Sequence, residues 1–335
     1  MSDVLALVFP FFGLVLLGYG VARFMAIPME GMAWLNAFIV YVALPPLFFV
    51  LLAETPVEDL TNWRFILATT LSTFLIFLGT LVPAVILSRD VGVGTVQALG
   101  AAYGNIGYMA PGIALLAFGE RAAVPVALIF CFDNAMHFIN APLLMALRGE
   151  SRDGTLRVIG RALWRVVSHP FIIATLVGVS AAVWGWRPPL AIGRMVDSLA
   201  GAAAPCALFA MGVTLALRPV RRVTPALVAI VPVKLVAHPL IVFATLWWLG
   251  PFDPVWVETA VLLAALPCAT NVFVIAQQYD VWVNRASAAV LITTLVSVAT
   301  VTGLLYGIKN GWMDPYLAAA PAAKQGRLSP VEGPE

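Results

Sequence analysis

The sequence is short of charge. Of 335 residues, 19 are Lys or Arg and 17 are Asp or Glu, 11% of the chain, where a soluble domain carries about 25%. The formal net charge of +2 leaves no electrostatic footprint for a polyanion, so nucleic-acid binding is excluded. Cysteine is scarce too. Cys131, Cys206 and Cys268 sit inside apolar runs, and no pair has a metal-ligand spacing, so neither a disulfide framework nor a metal centre is expected. There is no Asn-x-Ser/Thr sequon, no Walker loop, no His-Glu-x-x-His and no nucleophile elbow. Gly92-Val-Gly94 begins a dinucleotide fingerprint, but Gln97 occupies the third glycine position and no strand precedes it. No cofactor is expected.

What is abundant is apolar surface. Hydrophobic residues make up 61% of the chain, and the mean hydropathy is +0.96, too high for a soluble core to absorb. The chain reads as an all-α polytopic membrane protein, with spans near 4–24, 31–53, 63–88, 95–118, 121–147, 167–186, 192–217, 223–249, 255–278 and 285–309. The first has no basic start and no small-residue cleavage site, so it reads as a span and not a signal peptide. The tail over 311–335 is rich in Ala, Pro and Gly without apolar periodicity, and is expected to be disordered.

Lys and Arg in short loops set the orientation. Placing the 148–165 loop in the cytoplasm also brings Arg23, Arg89, Arg218, Arg221, Arg222 and Arg285 inside. The acidic 54–59 and 253–258 loops then fall outside, with both termini. The expected location is the cell (inner) membrane. Arg157, Arg161 and Arg165 recur every four residues, which suits either a short interfacial helix on anionic lipid or a helix start with ordinary positive-inside charge.

A uniform offset of 160 residues aligns the two halves of the chain. Pro10-Phe11 falls on Pro170-Phe171, Gly18 and Ala22 on Gly178 and Ala182, and Pro45 on Pro205. Asp133, His137 and Asn140 fall on Thr293, Ser297 and Thr300. The expected units are a first five-helix repeat over 1–150, a cytoplasmic linker over 151–168 and a second repeat over 169–310. A unit with an odd number of spans must invert relative to its copy, and inverted repeats are the architecture of secondary transporters.

The fourth and ninth spans each carry Gly or Pro and an Asn midway, in Gly104-Asn105-Ile106-Gly107-Tyr108-Met109-Ala110-Pro111-Gly112 and Pro267-Cys268-Ala269-Thr270-Asn271. At the uniform offset Gly107 lies opposite Pro267 and Pro111 opposite Asn271, and both helices are expected to open there. An opened helix exposes N–H groups and a positive dipole end, which suits a carboxylate. Gly104, Asn105, Gly107, Pro111, Pro267, Thr270 and Asn271 are the candidate substrate-binding residues.

Ionisable residues inside spans are costly and point to function. Asp133, His137 and Asn140 share one face of the fifth span, and Lys234 and His238 one face of the eighth. Asp133, His137, Lys234 and His238 are therefore candidates for ion or proton coupling, with Lys234 placed either to neutralise Asp133 or to act as a tethered cation. A buried pair that only locks packing is the alternative. Gln277 and Gln278 read as interfacial.

The segments 104–119 and 266–280 resemble the fourth- and ninth-helix motifs of bacterial auxin efflux carrier permeases; Val42-Ala-Leu-Pro-Pro-Leu-Phe and Pro205-Cys-Ala-Leu-Phe-Ala-Met-Gly-Val-Thr-Leu fit the same family. The resemblance covers roughly 1–310. It implies ten transmembrane helices in two inverted five-helix repeats, related to the plant PIN auxin exporters and similar in fold to bile-acid symporters. Helices 1, 2, 6 and 7 would form a scaffold, and helices 3–5 and 8–10 a moving transport domain with helices 4 and 9 crossing at the site. The substrate carboxylate would meet Asn105, Gly107, Pro111, Pro267 and Asn271. The long central loop of the plant exporters is absent, and the 148–166 linker stands in its place. Bacterial members are associated with small carboxylates such as malate or malonate. The expected function is secondary transport of a small organic anion by alternating access. Its rivals are a cation/proton antiporter with Asp133 exchanging, and a membrane-embedded enzyme using Asp133 and His137. The expected partners are the anion and the bilayer, with a homodimer left open.

Overall fold

A computed structural model describes residues 2–25, 31–146, 170–217 and 224–314, with Gly160, Trp164, Val167 and Ser168. Every regular element among these residues is helical. That is what a bilayer demands, because a helix satisfies its own backbone groups where no water can. In order the helices are α1 (Ser2–Met25), α2 (Gly31–Ala53), α3 (Trp63–Ser88), α4 (Val91–Ala102), α5 (Ile106–Phe118), α6 (Ala123–Ala146), α7 (Pro170–Trp184), α8 (Leu190–Leu217), α9 (Pro225–Leu249), α10 (Pro254–Ala264), α11 (Thr270–Gln278) and α12 (Val283–Lys309). Six segments, built on α2, α3, α6, α8, α9 and α12, are long and apolar enough to cross a membrane. With the shorter apolar helices between them, they make a multi-pass membrane protein.

Local chemistry starts and bends these helices. Asn62, Asp90 and Asp253 accept from Phe65 N, Val93 N and Val255 N, capping α3, α4 and α10. Two π turns interrupt α2 (Phe38–Ala43) and α9 (Val233–Ala237). Prolines 45 and 46 follow the first, and Pro232 and Pro239 bracket the second; each removes a donor from the regular ladder.

Helices α1 and α8 pack together most extensively, α2 lies on α7 and α8, and α3 lies on α4 and α9. Glycine decides the first two contacts. A Cβ on Gly18 of α1 would stand 2.1 Å from the Phe209 carbonyl oxygen of α8, and one on Gly212 of α8 would stand 1.9 Å from Val15 O. Gly178 of α7 likewise meets Phe49 O of α2, where a Cβ would lie at 3.1 Å. Small residues allow this backbone approach, the main source of helix association in lipid. The largest apolar cluster runs through Phe48, Phe65, Met109, Phe130 and Leu262, and a second through Phe77, Leu99, Tyr103, Cys268 and Val272.

The sequence expectations need correction at three places. The fourth span opens at Tyr103–Asn105, between α4 and α5, and Pro111 lies inside α5 without breaking it. The offset also shifts by four here, because the half-helices after the two breaks begin at Ile106 and Thr270, 164 residues apart. The chain stays ordered past 310, where Gly311 turns left-handed and buried Met313 joins the core. Arg157, Arg161, Arg165 and the tail from 315 lie outside the described residues.

Candidate functional site

The two breaks meet. Gly104 and Cys268 form an isolated antiparallel bridge, with Asn105 N donating to Pro267 O at 2.7 Å and Ala269 N to Tyr103 O at 2.9 Å. Each break therefore satisfies backbone groups that the other releases. Glycine fits closely at the contact, where a Cβ on Gly104 would stand 3.3 Å from Leu263 O and 3.4 Å from Lys234 Nζ. A further freed donor, Cys268 N, reaches Thr293 Oγ1 of α12 at 3.1 Å. Four helix ends converge here: α4 and α10 arrive with their carbonyl ends, while α5 and α11 depart with their N–H ends. Neither N-terminus carries a side-chain cap, at Asn105 or at Ala269. The positive ends of two helix dipoles therefore converge on the crossover without a side-chain acceptor at either cap.

A cavity of about 520 Å³ opens at this point, within the range of small-molecule sites of about 300–1,000 Å³. Gly104, Asn105, Gly107, Thr270 and Asn271 line it, together with Tyr103 and Asn134. Pro111 and Pro267 do not line it: Pro111 is buried in α5, and Pro267 acts through its carbonyl. Gln278, read as interfacial, stands in the cavity wall near the end of α11. On the opposite side a second cavity of about 630 Å³ is lined by Glu54, Asp59, Glu120, Arg121 and Asp253. Phe48 and Phe130 stack at 4.3 Å between the two, Phe130 lining the first cavity and the Phe48 neighbour Leu47 the second.

Within the cavity the amides behave differently. Asn271 Nδ2 donates to Tyr103 Oη at 2.9 Å, and Tyr103 in turn donates to Asn134 Oδ1. Asn105 Nδ2 points towards α8 and meets Met211 Sδ at 3.2 Å, a weak acceptor.

The ionisable residues lie directly behind the crossover. Lys234 Nζ donates to Ala264 O at the end of α10 (2.5 Å) and contacts His238 Nδ1 at 3.2 Å. His238 Nε2 lies 3.2 Å from Thr73 Oγ1, which donates to Asp133 Oδ2 at 2.9 Å. With the ring hydrogen on Nε2, every donor in this chain has an acceptor and all bonds run from Lys234 to Asp133. The expected direct Lys234–Asp133 pair is not formed among the described residues; Thr73 and His238 stand between them. Lys234 lies within the π turn, and its ammonium is engaged instead by the α10 carbonyl end and by His238. His137 is brought to Tyr103, ring on ring at 4.4 Å, and does not reach the Lys234–Asp133 chain.

Tyr103 and Asn134 were not anticipated from sequence. A tyrosine in an apolar run reads as core, and only the neighbouring Gly104-Asn105 signalled that this one borders a break.

Residues 3–305 match the family described as membrane transport protein. A protein of Rhizobium meliloti (strain 1021) named "Putative malonate transporter" is 56% identical over 312 residues, covering 93% of this chain and 98% of its own. An "Uncharacterized transporter" of Methanothermobacter thermautotrophicus is 26% identical over 293 residues, covering 86% and 92%. The match spans both broken helices and the cavity between them. On that footing the chain belongs to the membrane transport protein family, the auxin efflux carriers that its fourth and ninth spans resemble.

Proposed function

We propose that the protein is a secondary transporter of small carboxylates of the malonate class. The carboxylate is held where α5 and α11 begin. The observation that carries this reading is the pair of uncapped helix N-termini at the Gly104–Cys268 bridge, facing an amide-lined cavity. Two N-termini offer one positive end to each carboxylate of a short dicarboxylate, with Asn271, Asn105 and Thr270 supplying side-chain contacts. The name of the Rhizobium relative supports the substrate class.

Alternating access follows from a cavity on each side of one barrier. The packing supports the division implied by the family: α1, α2, α7 and α8 hold one another and form the scaffold, and α3–α6 with α9–α12 form the moving part. The Gly18 contact of α1 with α8 and the Gly178 contact of α7 with α2 are repeat-related, in favour of two inverted five-helix units. The cavity at the crossover opens towards the 148–165 side, the cytoplasm of the inner membrane in the orientation set by positive charge, with both termini outside.

The test is uptake of labelled malonate into proteoliposomes, with competition by a series of unbranched mono- and dicarboxylates. Saturable uptake, best displaced by three- and four-carbon dicarboxylates, is the expected result. Uptake indifferent to every carboxylate, with no shift in melting temperature, overturns the reading.

A further inference from the structure

We propose that Asp133 and His137 form a proton-binding site, partitioned from the carboxylate cavity by the ring of Tyr103, that takes up one proton with each substrate. The inference rests on the transport reading above and adds the coupling ion and its place.

Of the eight buried side-chain atoms without a hydrogen-bond partner by geometry among the described residues, three belong to one turn of α6, Asp133 Oδ1 and both ring nitrogens of His137, and a fourth, Thr70 Oγ1, neighbours the Asp133 carboxyl. Asp133 and His137 are 2% and 0% exposed and one helical turn apart on α6. Thr70 precedes by one turn of α3 the Thr73 that holds the other carboxylate oxygen. A buried polar group left unsatisfied costs about 1–3 kcal/mol. Concentrating several in one place is expensive unless the place binds something.

The occupant is argued from the neighbours. From α3 the group is faced by Thr70, Thr73 and Phe77; from α9 by Lys234 and His238; from the breaks by Tyr103 and the Cys268 thiol, with Tyr108 beyond. The Lys234 ammonium, joined to Asp133 through His238 and Thr73, already supplies the cation that a metal site would need and repels a second one. A proton needs no shell of oxygen ligands, and imidazole nitrogens accept it directly. It arrives from water on the open side, forms one O–H or N–H bond at Asp133 or His137, and leaves to water on the other side. Nothing is oxidised or reduced.

Tyr103 links this site to the cavity. Its hydroxyl accepts from Asn271 and donates to Asn134, while its ring covers His137. A carboxylate that takes the Asn271 amide removes one anchor of the tyrosine. The ring is then free to move, and His137 meets the water that enters with the substrate.

Proteoliposomes containing a trapped pH dye test this. Malonate added outside should acidify the lumen. An acid-outside gradient should raise accumulation about tenfold, and Asp133→Asn should abolish that gain while malonate still shifts its melting temperature. Tyr103→Ala should leak protons without substrate, and Tyr103→Phe, which keeps the ring, should not. Wild-type uptake with no proton movement, accumulation driven by sodium at equal pH, or full gradient-driven accumulation by Asp133→Asn overturns the proposal. If Asp133→Asn does not fold, the wild-type proton flux decides. If malonate neither binds nor moves, the substrate reading has failed, and the leak through Tyr103→Ala still decides for or against the proton site.

Discussion

The two helix breaks do the same thing by different means. Between α4 and α5 the chain opens over three residues, Tyr103 to Asn105, with no proline; between α10 and α11 it opens over five, Ala265 to Ala269, around Pro267. The second break is held by its neighbours: Thr293 of α12 takes Cys268 N and Lys234 of α9 takes Ala264 O. The first has its backbone held by the second, through Asn105 N to Pro267 O, and only its side chains reach outside, Tyr103 to Asn134 of α6 and Asn105 to Met211 of α8. A break supported from outside acts as a frame, and the break that leans on it can respond to a ligand. Damage to the supports of the second should therefore appear in stability, and damage to the facing amides in affinity.

The largest expected effect separates the two asparagines. Asn271→Ala removes an amide that faces the cavity, and a hydrogen bond to a charged group is worth about 1.5–3 kcal/mol, so malonate affinity should fall about ten- to a hundredfold. Asn105→Ala, whose amide rests on a thioether, should cost about threefold to tenfold, roughly 1 kcal/mol. Titration of each variant in detergent, beside its melting curve, gives the ratio. Equal losses would show that the two amides meet the substrate alike, whatever partners they hold without it. Next, Thr293→Val keeps the shape but leaves Cys268 N without its acceptor; unfolding in denaturant should show a loss of about 1–3 kcal/mol, with malonate affinity of the folded fraction within about twofold. A variant with weakened affinity and unchanged stability would reverse the assignment. Smallest of all, Arg121→Ala breaks the exposed pair with Asp253 that ties the α6 entrance to the α10 entrance. Such pairs contribute about 0–1 kcal/mol, screened by salt. A melting shift that persists at 1 M salt, where screening reaches about 3 Å, would show a tighter tie than exposure suggests.

Much of the architecture was legible because a bilayer leaves few choices. The expected third span, 63–88, coincides with α3, and apolar runs bounded by Asn62, Asp90 and Asp253 start where those residues cap. The presence of two breaks was legible from Gly, Pro and Asn. Their exact seat was not. Pro111 removes one donor, yet α5 closes around it, whereas Tyr103 carries no breaker signal of its own and leaves the helix with Asn105 because the α10–α11 break binds their backbone. The partners of Lys234 were hidden for a related reason. Helical spacing assumes 3.6 residues per turn, and the π turn at Val233–Ala237 changes that count where the lysine sits. Contacts that depend on a wide turn or on another segment's backbone are absent from any periodicity.

The glycine joint between α1 and α8 has a mechanical consequence. With Gly18 and Gly212 each facing backbone at a spacing no side chain fits, the joint has no clearance, and neither helix can slide or roll against the other without a collision. The two behave as one strut. Under the proposed alternating access, the stroke is then left to side-chain contacts, at the stacked rings of Phe48 and Phe130 and along α5 where it crosses α8. Stiffness in one joint thus selects the hinge line for the whole molecule, far from any residue that touches cargo.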